Sequence, residues 1–295
     1  MVHFALSTGV RVGLHAHHDG RHTYHYCMAS TLSSSNGLLS LGRGALQWFV
    51  GWWQIAHLGA VILVLALSPS SYDRDTRLVL AREAYQATAP ILPWFTVLSS
   101  LISLVIVRIV VVTALSYGLS RYALDMVVRV LVLELIPLTA ALFVALRCAI
   151  PNAAEIAALR DGGAFEALKQ QGVNPLQREV LPRMVAGMFS TLMLAAVSCV
   201  VALLLAYVTV HGFTGAAFGS YTRSVGHVFS PAVVVIFTLK TFFLSLAVAL
   251  IPIATVVYEA RLDRRRRTSA ELHGLVRLFS AVLLIEVASL IGNYY

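Results

Sequence analysis

Residues 151–183 read PNAAEIAALRDGGAFEALKQQGVNPLQREVLPR, a polar stretch between apolar runs at about 126–150 and 184–210. A connection that only reverses the chain needs a handful of residues, whereas this one has about thirty. It holds two helix-compatible patterns separated by Asp161-Gly162-Gly163, and Gly172-Val173-Asn174-Pro175 blocks further helix. Such a segment is typical of a docking element for a soluble partner.

The composition indicates an integral membrane protein. Apolar residues make up 58% of the chain and charged residues 12%, and the mean hydropathy is +0.79. Soluble domains contain about one quarter charged residues. The net charge of +8 would also suit nucleic-acid binding, but the basic residues lie in short loops beside apolar runs. We therefore predict a membrane protein with no nucleic-acid partner.

Five apolar runs reach or approach the length of about 20 residues that a spanning helix needs. A sixth run, 48–67, holds Trp48, Trp52 and Trp53, and clustered Trp favours the membrane–water interface. We predict a surface-lying helix there, with a sixth span as the alternative. The five predicted spans are about 90–117, about 126–150, about 184–210, 231–258 and 275–291.

Lys and Arg divide the connecting loops into two sets. The poorer set holds only Arg121, Arg129 and Arg223. The positive-inside rule makes the richer set cytoplasmic, which places 151–183 inside and the C-terminus outside. The richer set comprises Arg74, Arg77, Arg82, Arg160, Lys169, Arg178, Arg183, Arg261, Arg264, Arg265, Arg266, Arg267 and Arg277.

The N-terminal residues 1–36 differ from the rest of the chain. They are rich in His and end in a Ser-rich stretch, which favours a disordered tail over a metal site at His15-Ala16-His17-His18. No apolar core follows a basic start, so no signal peptide is predicted, and Met28 is an alternative start. Residues 37–89 are predicted to form the interfacial helix and a cytoplasmic connector, and 90–295 the transmembrane domain.

Two features are candidates for function. In 151–183, Ile156, Leu159, Phe165 and Leu168 can share one helix face and enter a groove on a partner; a helix on the bilayer surface is the alternative. Within the spans, a buried charge needs a partner or a wet cavity. The charges in or at the ends of the spans are Arg108, Glu134, Arg147, Lys240 and Glu286. For Glu134 and Lys240 two explanations stay open, a polar point in an amphiphile-binding cavity and interhelical ion pairs. Ion pairs are favoured for Arg108 and Glu286, and Arg147 lies near the cytoplasmic end, where its side chain can reach the interface.

The ordered motifs resemble the MlaE/YrbE permease family, the membrane subunits of lipid-transporting ABC systems that work with MCE-domain proteins. The resemblance covers residues about 90–293, and departures such as Leu133 and Ile136 mark a divergent member. The matching residues are Glu134-Leu135-Ile136-Pro137, Ala145-Leu146-Arg147, Glu155, Val173-Asn174-Pro175, Pro182-Arg183, Ala186-Gly187, Lys240 and Glu286.

The resemblance implies an all-α membrane protein with an N-terminal interfacial helix, five transmembrane helices and a cytoplasmic coupling helix at about 153–172. It implies a bacterial cytoplasmic membrane location and a homodimer, or a heterodimer with a paralogue. It further implies cytoplasmic ABC ATPase subunits that carry ATP and Mg, with no cofactor on this chain, and an MCE-domain protein that exchanges phospholipid outside.

The resemblance also implies roles for particular residues. A lipid cavity would involve Glu134, Lys240, Tyr117 and Arg108. ATPase docking would involve Glu155, Leu159, Phe165, Leu168 and Pro175. The structural motif would comprise Pro137, Arg147, Pro182, Arg183, Gly187 and Glu286.

Three rival functions are a non-transporting scaffold that recruits a soluble partner, a membrane-bound lipid-modifying enzyme and an ion channel. The sequence shows neither a phosphate-binding loop nor a catalytic set such as Ser-His-Asp. Cys27, Cys148 and Cys199 are far apart and predict neither a disulfide framework nor a metal site. A permease subunit that performs no covalent chemistry itself fits these observations best.

Overall fold

The structure, a computed structural model, describes residues 33–67, 74–118, 120–213, 215–259 and 267–294. Within these ranges the chain forms helices and no strand, which confirms the all-α prediction. The α-helices are α1 (Ser33–Leu67), α2 (Arg74–Thr88), α3 (Leu92–Ser116), α4 (Ser120–Val127), α5 (Ile136–Val144), α6 (Ile150–Asp161), α7 (Ala164–Gln170), α8 (Leu181–His211), α9 (Phe218–Val228), α10 (Pro231–Glu259) and α11 (Arg267–Tyr294).

Short irregular helices join several of these elements. π-helical segments cover Val128–Leu135, Ala145–Ala149 and Leu176–Val180, and a 3₁₀ turn covers Gly215–Ala217. The first two lie between α4 and α6, so that stretch runs as one long helical rod. Its residues Leu124–Asp161 contain the second of the five spans predicted from the sequence.

The chain divides into two units, Met1–Trp48 and Phe49–Tyr295. In the first unit, the described residues 33–48 are helical, so the last residues of the predicted tail, 33–36, belong to α1. The remainder of that tail, with its His-rich stretch, lies outside the described residues, as does the Arg-rich stretch 260–266.

In the part of the chain that the structure describes, six helical stretches are long and apolar enough to cross a membrane. Trp48–Leu65 is among them, so both versions that the sequence left open for 48–67 fit its length and hydropathy. The six stretches are Trp48–Leu65, Leu78–Ser116, Leu124–Asp161, Leu176–His211, Pro231–Tyr258 and His273–Asn293.

α10 packs against α5, α6, α8 and α11, and α8 packs against α2, α3 and α5 as well. Small residues allow these close contacts. A Cβ at Gly187 of α8 would lie 3.5 Å from the Cβ of Ala249 in α10, and one at Gly274 of α11 would lie 2.9 Å from Thr255 Oγ1. Small residues at helix contacts are typical of membrane proteins, since packing drives helix association there.

Candidate functional site

Glu134 lies in the π-helical segment Val128–Leu135, three residues before Pro137. Proline has no N–H, so the carbonyl of Leu133 lacks the donor that a regular helix would place at residue 137. The N–H of Ile136 reaches back five residues to the carbonyl of Leu131, which is the π-helical pattern. The kink that the sequence suggested at Pro137 therefore takes the form of a widened turn.

Lys240 of α10 contacts the carbonyl for which Pro137 provides no donor. Its ammonium donates to the carbonyl of Leu133 at 3.2 Å. It also donates to Glu134 Oε2 and, at 2.8 Å, to Oε1 of Glu286 in α11. The three charges join three predicted spans, and the ion pairs that the sequence left open are present.

This ion cluster, Glu134 with Lys240 and Glu286, is buried. The side chain of Lys240 is 1% exposed, and those of Glu134 and Glu286 are 14% and 15% exposed. Removing one partner of a buried ion pair leaves an uncompensated charge, which costs about 3–5 kcal/mol. The cluster therefore fixes α10 against the π-helical segment and α11.

An apolar groove lies between α3 and the helical rod that carries Glu134. Its volume is about 240 Å³. Leu135 and Ile136, the residues that follow Glu134, form part of its wall. The other lining residues are Phe95, Leu98, Ser99, Ile102, Ser103, Leu131, Thr139, Leu142, Phe143 and Leu146.

The segment 151–183 forms two helices, as its pattern predicts. α6 ends at Asp161, and α7 follows after Gly163, whose φ of 75° is left-handed and suits glycine. Gly172 has φ 75° as well and ends α7. The Asn174 side chain then accepts a hydrogen bond from the N–H of Leu176 at 3.1 Å, which begins the next helical segment.

The apolar face of these two helices points into the protein. Ile156 is 0% and Phe165 8% exposed, and Leu159 packs against the same core. Leu168 is half-buried, whereas Glu155 is exposed. The sequence assigned this face to a partner's groove. In the structure the protein's own core covers Ile156 and Phe165, because α6 contacts α10.

Next to these helices lies a polar cavity of about 670 Å³ between α2 and the stretch 172–183. Glu83, Asn174 and Arg178 are among its lining residues. Arg183 also lines it and donates to Glu179 Oε2 at 2.9 Å, with its Nε 3.8 Å from Glu155 Oε2. The motif residue Arg183 thus holds together the start of α8 and the exposed side of α6.

Arg160 makes hydrogen bonds to α10 that the sequence did not predict. Its guanidinium, on α6, donates to the carbonyls of Val256, at 3.2 Å, and Val257 in α10. In the sequence, Arg160 indicates only the cytoplasmic side of the membrane. No local pattern reveals the contact, since the acceptors lie 96 and 97 residues further along the chain.

The remaining predicted residues are dispersed. Tyr117 is 76% exposed at the end of α3, and Arg108 and Arg147 are exposed as well. Pro175 is buried before the third π-helical segment, and Pro182 is buried in the first turn of α8. Of the four residues predicted for a lipid cavity, the structure brings Glu134 and Lys240 into contact.

Comparison with models of protein families matches residues 80–291 to the family described as Permease MlaE. The comparison with curated proteins finds no match. The family match starts within α2 and includes the ion cluster, the groove and the segment 151–183. A permease of this family is a membrane subunit of an ABC-type transporter. The chain belongs to the MlaE permease family.

Proposed function

We propose that this permease transfers a phospholipid-like amphiphile between the membrane and an extracytoplasmic MCE-domain protein, using ATP hydrolysed by a partner ATPase. The observation that carries the proposal is that one helical rod carries both Glu134 of the buried ion cluster and a wall of an apolar groove. An amphiphile needs both environments, a polar contact for its head group and an apolar surface for its acyl chains.

The chemistry of the ion cluster and that of the apolar groove both support a phospholipid-like substrate. The ammonium of Lys240 is a donor for a phosphate or carboxylate oxygen, and its partner Glu134 directly precedes Leu135 and Ile136 of the groove wall. The groove has almost entirely apolar walls, which suits an acyl chain. Lys240 would exchange a carboxylate for the head group when the lipid arrives.

The cytoplasmic segment supports coupling to an ATPase. Because Ile156 and Phe165 are occupied in the core, the docking surface is proposed on the exposed side of α7, where Glu166 and Lys169 lie. The ATP and Mg belong to the partner, and this chain performs no covalent chemistry. Movement of α6 would reach α10 through Arg160, and α10 carries Lys240.

The subunit composition of the transporter is proposed from the family to which the chain belongs. Two copies of the permease, or this chain with a paralogue, would sit in a bacterial cytoplasmic membrane with two ATPase subunits inside. The C-terminus would be extracytoplasmic, as the distribution of Lys and Arg predicts. A cysteine at position 293 should then react with an impermeant reagent in intact cells, and reaction only after lysis would reverse the orientation.

Bound lipid is the direct test of the substrate class. The purified chain should carry phospholipid measurable by mass spectrometry. Ile102→Trp fills the groove from α3 and should lower the bound lipid severalfold, whereas Val112→Trp, on an exposed part of the same helix, should not. Equal lipid in both variants would argue against the groove as the acyl-chain site.

Partner capture separates the transporter from a scaffold. The solubilised chain should recover an ABC ATPase, and the charge reversals Glu166→Lys and Lys169→Glu should reduce that recovery. Arg223→Glu, in α9, is the matched control. ATPase recovery with no lipid in the wild-type protein would favour the scaffold, and recovery of no ATPase would contradict coupling.

A further inference from the structure

Three polar residues of α11 lie on one face, at the positions i, i+3 and i+7: Glu286, Ser289 and Asn293. Each has a buried oxygen without a hydrogen-bond partner among the described residues, namely Glu286 Oε2, Ser289 Oγ and Asn293 Oδ1. An unsatisfied buried polar atom costs free energy, so three in a row on one face require an explanation.

The Ser289 hydroxyl differs from other hydroxyls in the neighbouring helix. Serine and threonine inside helices commonly donate to a carbonyl one turn back. In α10, Thr238 and Thr241 each do so at 2.8 Å, and Ser245 does so at 2.7 Å. Ser289 is only 7% exposed, yet its hydroxyl makes no such bond within the described chain. The hydroxyl is therefore available to a ligand.

The ion cluster gives these oxygens a reason to attract a polar ligand. Two carboxyl groups, Glu134 and Glu286, share the single ammonium of Lys240, so the cluster has one acidic group in excess. A polar group inside an apolar span, charged or neutral, is costly unless water or another polar group solvates it. Glu286 Oε2, the oxygen that Lys240 does not contact, is the atom that most needs this solvation.

The polar face leads from the cluster to the end of the span. Asn293 Nδ2 donates to Glu134 Oε1 at 3.3 Å, which joins the row to the cluster. Asn293 is also the last residue of the apolar stretch His273–Asn293. Glu286 and Asn293 are seven positions apart, or roughly 10 Å along a helix. The row thus extends from the membrane interior to the C-terminal end of α11.

We propose that Glu286 Oε2, Ser289 Oγ and Asn293 Oδ1 bind ordered water, which forms a hydrated path from the C-terminal end of α11 to the Lys240 cluster. Buried waters typically make two to four hydrogen bonds to polar groups of this kind. The path lets Lys240 and its carboxylates change partners without losing all solvation. This proposal does not depend on which solute the permease carries.

The test is the reaction of an introduced thiol with Ag⁺, a small ion that enters water but not hydrocarbon and binds thiolates. Ser289→Cys is made in a full-length background in which Cys27, Cys148 and Cys199 are replaced by alanine. The purified protein is exposed to Ag⁺, then unfolded, and the remaining free thiol is counted with a maleimide. Because the thiols are counted after unfolding, the size of the maleimide does not limit its access to them.

The matched control is Leu290→Cys, because Leu290 is the next residue and is 38% exposed on the apolar surface of α11. The thiol at position 289 should react at least about tenfold faster than that at 290, because ions rarely enter hydrocarbon. Asn293→Leu, which removes the outermost polar group, should slow the reaction at 289 and leave that at 290 unchanged.

A second pair repeats the comparison one turn nearer the helix end. Asn293→Cys should react faster than Ile291→Cys, whose position is 56% exposed on the apolar surface. This pair keeps the proposal testable if Ser289→Cys does not fold. Equal, slow reaction within either pair in folded protein would overturn the hydrated path, and so would a reaction at 289 that is unaffected by Asn293→Leu.

Discussion

Arg160 of α6 donates to the carbonyl of Val256 in α10, with Nη1 3.2 Å from the oxygen, and also to the carbonyl of Val257. The last four carbonyls of a helix lack partners within it, and a cation at this end is favourable. The contact joins the cytoplasmic segment to the helix that carries Lys240. It therefore fixes α6 to the C-terminal part of α10.

Arg160→Ala should weaken this connection. The loss of a charged hydrogen bond costs about 1.5–3 kcal/mol, so thermal stability in detergent should fall. ATPase capture should persist, because Arg160 points into the protein, while ATP-dependent lipid transfer should drop. Arg223→Ala, at an exposed position in α9, is the control. Unchanged transfer in Arg160→Ala would show that α6 does not act through α10.

Lys240→Met should be among the most destabilising single changes in the spans. It leaves two buried carboxylates facing each other, and breaking a buried ion pair costs about 3–5 kcal/mol. The triple variant with Glu134→Gln and Glu286→Gln removes all three charges and should recover most of the stability. Thermal unfolding followed by size exclusion measures both, and a triple variant as unstable as the single one would contradict the charge argument.

Phe165→Ala should destabilise the fold rather than only weaken docking. Phe165 is 8% exposed, and removing a buried Phe side chain costs about 3–5 kcal/mol. Glu166→Ala, the neighbouring exposed position, should leave thermal stability unchanged. If Phe165→Ala kept full stability and lost only ATPase capture, Phe165 would belong to the docking surface after all.

The burial of Tyr221, which lies outside the spans, predicts that the stability of the fold depends on pH. Its hydroxyl donates to the carbonyl of Leu203 at 2.7 Å, and burial raises the pKa of Tyr221 from 10.0 to about 12. The folded state therefore favours the neutral phenol. This stability is fully present below pH 10 and is lost as pH rises through about 12.

Tyr221→Phe removes the hydrogen bond and the titration together. Stability at neutral pH should fall by about 1 kcal/mol, and the alkaline loss of stability should become smaller. Tyr122→Phe is the control, because Tyr122 is 58% exposed. Thermal melts between neutral pH and pH 12 measure both variants. An identical alkaline profile in wild type and Tyr221→Phe would rule out the buried phenol as its source.

The sequence by itself determined the class of the protein and the nature of each segment. Composition and run length are local quantities, so they predicted the spans, the helical pattern of 151–183 and the breaks at Gly163 and Gly172. The ordered motifs predicted the family, because short spacings around Glu134-Leu135-Ile136-Pro137 and Val173-Asn174-Pro175 survive divergence.

Only the tertiary structure decided what each face contacts. An apolar helix face must be covered, but its pattern does not say by what, and Ile156 and Phe165 turned inward because α10 supplies the cover. The partners of Lys240 lie 106 and 46 residues away, and those of Arg160 lie 96 and 97 away. Such distances along the chain carry no local signal, since the contacts exist only after the helices pack.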